Sequence, residues 1–231
     1  MMTRKLFTSA FAIGAMMLAT PALADPITLD SGDIGSSFTI DFDGEDGSGT
    51  VDGLTSSITF TLVSISPDGK TYNFTYDAAN TSTTSTGSLT GFAFNVNPDI
   101  TGADSTGTFD YSKLDKNYPN GIGTVDVCFK AKDSGSCGGA GSGTNGLTNG
   151  ESGSGTMSLY FSDPTNPITL SDFFVRYQAV NGDGSATGSQ VTSTTTSTTG
   201  GTPVPEPGML GLFGLGLVGI GLMRRRRKLA A

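Results

Sequence analysis

The chain has 231 residues, with 13 basic and 21 acidic side chains, 34 Gly, two Cys, and neither His nor Trp. Without His there is no Ser/His/Asp or Cys/His nucleophile, no His-ligated zinc or haem, and no imidazole acid or base working near neutral pH. That excludes most familiar active sites, while the length fits one or two domains.

The first 24 residues read as a secretory signal peptide rather than part of a fold. Arg4 and Lys5 are followed by a short apolar run, and Ala22 and Ala24 supply the small residues that a signal peptidase requires before cleavage after Ala24. A retained membrane helix is the alternative, disfavoured because the run is shorter than the ~20 residues a span needs.

Residues 25–190 carry a period of two, not 3.6. Phe38, Ile40 and Phe42 alternate with Thr39 and Asp41, and Tyr72, Phe74 and Tyr76 alternate with Asn73, Thr75 and Asp77. The same beat returns at 92–96, 125–129, 157–161 and 173–177. Such segments are half-buried strands. The runs 58–65 and 72–77 flank Ser66-Pro67-Asp68-Gly69-Lys70, a turn sequence that predicts a hairpin. About eight strands, abundant Gly and Thr, and no amphipathic helix predict an all-β ectodomain: an antiparallel β-sandwich, with a jelly roll as one form of it.

Asp41, Asp43 and Glu45 lie in a DFDGEDGSG stretch with Asp46 and Asp52 nearby. Carboxylates in a turn are candidate calcium ligands. An EF-hand template nevertheless fails, because its sixth position holds Asp46 where Gly is required. A solvated acidic hairpin tip is the preferred reading, with no metal or other cofactor expected. Asn181-Gly182-Asp183-Gly184 reads as a turn.

Cys128 and Cys137 are the two cysteines, and export would place them where thiols pair. Closing a loop of about ten residues is worth on the order of 2.5 kcal/mol in the chain-entropy model. The bond is expected to clip a Gly-rich loop; Cys-x-x-Cys spacing, the usual mark of redox chemistry, is absent.

No carboxylate pair stands out for glycoside hydrolysis. Tyr111, Tyr118, Tyr160 and Tyr177 are candidate rings for sugar stacking, with packing in the core or at its rim as the stronger reading. The expectation is therefore a non-enzymatic domain.

Residues 191–203, almost all Ser, Thr and Gly, read as a flexible spacer. Residues 204–231 open with Pro205, Glu206 and Pro207, continue uncharged through 209–223, and end in Arg224, Arg225, Arg226, Arg227 and Lys228. Fifteen residues give roughly 22 Å of helix against a hydrocarbon core of ~30 Å, a short transmembrane anchor. Five consecutive cations hold their side in the cytoplasm and leave Glu206 on the far face. The flanking prolines keep that glutamate in an extended, accessible segment.

A Pro-Glu-Pro triplet, a short Gly-rich helix and a terminal Arg cluster together resemble the PEP-CTERM sorting signal of Gram-negative bacteria. The resemblance implies recognition of Pro205, Glu206 and Pro207 by exosortase, a membrane-embedded transpeptidase-like enzyme that removes the helix and passes the protein to the cell surface. It also implies association with exopolysaccharide or biofilm. The stretches 121–139, 150–162 and 168–180 (GIGTVDVCFKAKDSGSCGG, GESGSGTMSLYFS, ITLSDFFVRYQAV) resemble the cistern subgroup of that family. A single-pass anchor that is never cut is the alternative for the tail.

Removal of both ends leaves six basic and twenty acidic side chains, a charge of about −14. Such a surface repels phosphate backbones and excludes nucleic acid as a partner. The expected partners are the general secretion machinery, signal peptidase, exosortase, exopolysaccharide, and the membrane before processing. The expected role is an exported structural protein of the cell surface or extracellular matrix. A polysaccharide-binding or calcium-dependent adhesion module is the alternative.

Overall fold

The computed structural model describes residues 26–138 and 145–196. The signal peptide, its Ala22 and Ala24, the sorting triplet, the helix at 209–223 and the basic tail lie outside the described residues.

Eleven strands form among the described residues: β1 (Ile27–Leu29), β2 (Ser37–Asp46), β3 (Gly49–Ile65), β4 (Thr71–Asn80), β5 (Ser88–Asn97), β6 (Gly102–Gly107), β7 (Tyr111–Tyr118), β8 (Gly123–Lys130), β9 (Ser152–Tyr160), β10 (Ile168–Val180) and β11 (Gly184–Thr196). A single 3-10 turn, Ser31–Asp33, separates β1 from β2 and is capped by the Asp30 side chain. The expected hairpin is present: Ile58 pairs with Ala78 and Ile65 with Tyr72 across β3 and β4. Its turn closes through Ser66 N–H to Thr71 O at 2.9 Å, with Gly69 at φ +69°.

All ladders are antiparallel and run in the order β6-β9-β4-β3-β2-β11-β10-β5-β8-β7, with β1 added on β10. The expected sandwich of two stacked sheets is thus corrected to one continuous sheet that nearly closes on itself. Its two ends, β6 and β7, are consecutive in the chain and meet through side chains. Ser112 Oγ donates to Ala103 O at 2.5 Å, and Ser105 Oγ donates to Phe109 O at 2.6 Å.

The curl is legible in the core. β3 and β5 are four places apart in the ladder, a separation of roughly 19 Å in a flat sheet. Yet the Phe60 and Phe92 rings lie 5.4 Å apart, and Phe60 also meets Phe38 at 5.2 Å and Phe173 at 5.8 Å. Register shifts in β2, β3, β10 and β11 supply the bends. Left-handed backbone at Asp172 and Ala179 accompanies two of them.

A second apolar cluster lies on the other side of the curled sheet, where Ala93, Tyr118, Val125, Cys128 and Cys137 pack together with Ile122 and Phe174. β5 is consequently buried on both faces along most of its length.

The first six residues of the expected spacer are strand, and residues 197–203 lie outside the described residues. Residues 191–196 continue β11 and pair with β2, Thr194 opposite Thr39 and Thr196 opposite Ser37. A Ser/Thr tract has too few apolar side chains to build a core, but a ladder needs only backbone N–H and C=O groups.

Candidate functional site

The Cys128–Cys137 bond is formed, with Cα atoms 5.9 Å apart. It starts on β8 and fastens the following loop over the outer side of β8, β5 and β10. The loop is a cage for cations. Lys130 is 2% exposed, and its ammonium donates to Ser134 O at 2.6 Å, Ser134 Oγ at 2.9 Å and Ser136 O at 3.0 Å. Gly138 O accepts from Arg176 Nε at 3.1 Å and Gln178 Nε2 at 2.7 Å. Burial pushes the Lys130 and Arg176 pKa values down, since an ion loses hydration there. Carbonyl and hydroxyl oxygens replace that water. This matches the expected structural clip, and what it adds is the pair of buried cations under the loop.

Asp41, Asp43 and Glu45 occupy alternate positions of β2 and therefore share its outward face. Their spacing spreads them along the strand: Asp41 lies opposite Ser57, Asp43 opposite Thr55, and Glu45 opposite Thr50 near the hairpin tip. Among the described residues no three His, Cys, Asp or Glu side chains come together as a metal-holding group.

The candidate stacking tyrosines divide. Tyr118 and Tyr177 are buried, at 1% and 0% exposure, whereas Tyr111 is 40% exposed and Tyr160 is half-buried. Tyr160 donates to Asp104 Oδ2 at 3.0 Å, and its ring lies beside Gly102 on the neighbouring strand.

The register brings together a surface that periodicity alone does not show. The inward side chains of β2, β3 and β4 are apolar apart from the buried Ser56 and Asn80, and the other Ser, Thr, Asn and Asp of their regular stretches face out. One row across the sheet runs Ser37, Thr61, Thr75, Thr156, Thr106. The next runs Thr39, Thr59, Asp77, Ser154, and a third runs Asp41, Ser57, Ala79, Ser152.

Neighbouring hydroxyls bond across strands. Ser37 and Thr61 are 2.7 Å apart, Thr39 and Thr59 2.7 Å, and Thr106 and Thr156 2.8 Å. Across β3, β4 and β9 this face sinks into a depression of about 380 Å³ lined by Ser57, Thr59, Asp77, Ala79, Ser152 and Ser154. Ala79 lies between Ser57 and Ser152 in the ladder, so a methyl stands there between two hydroxyl side chains. The signal in the sequence was the short polar residue at every second position; which of these became neighbours depended on strand order.

Residues 203–228 match the PEP-CTERM protein-sorting motif. That motif implies an exported protein, anchored in a membrane and sorted by exosortase. No curated protein and no solved structure matches the chain.

Proposed function

We propose that this chain is a non-enzymatic structural protein, carried to the surface of a Gram-negative envelope and incorporated into its exopolysaccharide or biofilm matrix. The general secretion machinery and signal peptidase deliver it, with cleavage after Ala24. Exosortase then reads Pro205, Glu206 and Pro207, held outside the membrane by the charges of Arg224, Arg225, Arg226, Arg227 and Lys228. The observation that carries the reading is the sorting motif at 203–228, beginning shortly after a β-domain that ends at Thr196. The cistern subgroup fits the same delivery route.

Surface material from exosortase-competent cells should end near Pro205 by intact mass and fractionate with exopolysaccharide. Recovery only as the full anchored chain would overturn the sorting step, and an unchanged distribution in a polysaccharide-deficient strain would overturn the matrix step.

The second reading, a glycan-binding adhesion module, is favoured by the hydroxyl-lined face of β2, β3, β4, β9 and β6. Hydroxyl and carboxylate groups are what sugar hydroxyls pair with. Calcium dependence draws no support from the spread positions of Asp41, Asp43 and Glu45. Glycan binding measured with and without calcium separates the two versions.

A further inference from the structure

The fold gathers its cations on one side. The described residues hold six cations, and five of them (Lys113, Lys116, Lys130, Lys132 and Arg176) lie on or beside β7, β8 and β10. The outward positions of β2, β3, β4, β9 and β6 hold none, but carry Asp41, Asp43, Glu45, Asp77 and Asp104.

That face is rich in hydrogen-bond acceptors. An ionised carboxylate only accepts, and each hydroxyl has two acceptor lone pairs for one donor. Some of the hydroxyl protons are already committed to neighbours, as in the Ser37–Thr61 and Thr39–Thr59 pairs at 2.7 Å. A ligand that complements this surface must bring donors and positive charge. It must also be extended and slim, because the side chains are short and the depression over Ala79 is open to the surface.

A primary ammonium brings three donors and one positive charge. In the depression it meets Asp77, which is exposed and lies directly opposite Thr59 on one side and Ser154 on the other. We propose that this face binds a polysaccharide bearing free amino groups, with one sugar over Ala79 and its ammonium donating to Asp77, Thr59 and Ser154. The proposal rests on the matrix reading above and names the class of glycan. Anionic polymers are repelled by a domain of net charge about −14, and N-acetylation removes the charge that Asp77 recognises.

The test uses the full chain in detergent micelles and a fluorescent chitosan hexamer, followed by anisotropy. Chitosan should bind, with affinity falling as salt rises. The fully N-acetylated hexamer should bind at least about tenfold more weakly, and polygalacturonate should not compete. Asp77→Asn should weaken chitosan binding about fivefold or more, and Ala79→Arg should abolish it. Asp183→Asn, which removes the same charge at the exposed β10–β11 turn, should leave it within about twofold.

Equal losses from Asp77→Asn and Asp183→Asn would overturn the site in favour of net charge alone. So would equal binding of the acetylated hexamer, or poly-lysine binding as tightly as chitosan. Absence of chitosan binding while the protein still fractionates with host exopolysaccharide would overturn this inference and leave the matrix reading standing; loss of both would remove both.

Discussion

Tyr76 sits in the core with its ring 5.4 Å from Phe92 and 5.8 Å from Phe109. Its hydroxyl donates to Thr106 O at 3.0 Å and accepts from Phe109 N–H at 2.8 Å, tying the β6–β7 turn to β4. Space for that phenol is left by Gly155, where an added Cβ would run into Tyr76 and the Thr106 carbonyl. Burial pushes the Tyr76 phenol up from 10.0 to about 12, and Tyr118 and Tyr177 are raised by the same cause. The unfolded chain therefore gives up these protons first as pH rises, so stability present below pH 10 is lost between about 10 and 12, on the order of 2 kcal/mol for Tyr76 alone. Half of the phenolate signal from the six tyrosines should appear only together with loss of the strand circular dichroism. Titration of all six near pH 10 with the strand signal intact would contradict this burial.

At the scale of elements, the loop after β8 is held by a disulfide and by Arg176 and Gln178, and the end of β11 by its ladder with β2. Replacing Cys128 and Cys137 together by Ser should cost about 2–3 kcal/mol in denaturant unfolding. It should also open a protease site within 131–138, because the oxygens that hold Lys130 are supplied by that loop. Resistance equal to that of the parent would show that Arg176 and Gln178 hold the loop without the bond.

Ending the folded part at Gln190 instead of Thr196 should strip β2 of its β11 partner from Ser37 to Asp41 while leaving its ladder with β3. A loss of at least about 1 kcal/mol is expected from the broken ladder, with greater aggregation through the new edge. Equal melting of the two forms would return residues 191–196 to the spacer.

The periodic strands were legible, since β2, β4, β5, β8 and β10 each carry large apolar side chains at alternate positions. β6 (GADSTG) and the latter part of β11 were not. They hold few apolar residues and exist as strands because β9 and β2 offer them backbone partners.

For the whole molecule, charge and closure act together. Curling one sheet until β6 meets β7 brings its two edges side by side, and it sets an outward face without Lys or Arg against a side that holds five of the six cations of the described residues. The outward carboxylates of this face sit on strands that carry no Lys or Arg and repel one another through water, and a net charge of about −14 adds to this. Raising NaCl from about 20 to about 200 mM should therefore increase Tm by roughly 2–4 °C, read by thermal circular dichroism. A Tm that falls with salt would mean that cross-barrel attraction outweighs this repulsion.

Delivery and fold class were open to reading from the chain alone. A sorting signal is linear, built from two prolines, an apolar run and a cationic end, and its recognition needs no tertiary neighbours. The all-β class follows from side-chain alternation, which is local geometry of the extended backbone. Strand order, closure into one sheet, the recruitment of residues 191–196, the cage around Lys130 and the cation-free hydroxyl face were decided only in three dimensions. Each depends on which segments far apart in the chain share a ladder, and the two-residue period is the same whichever partner a strand takes.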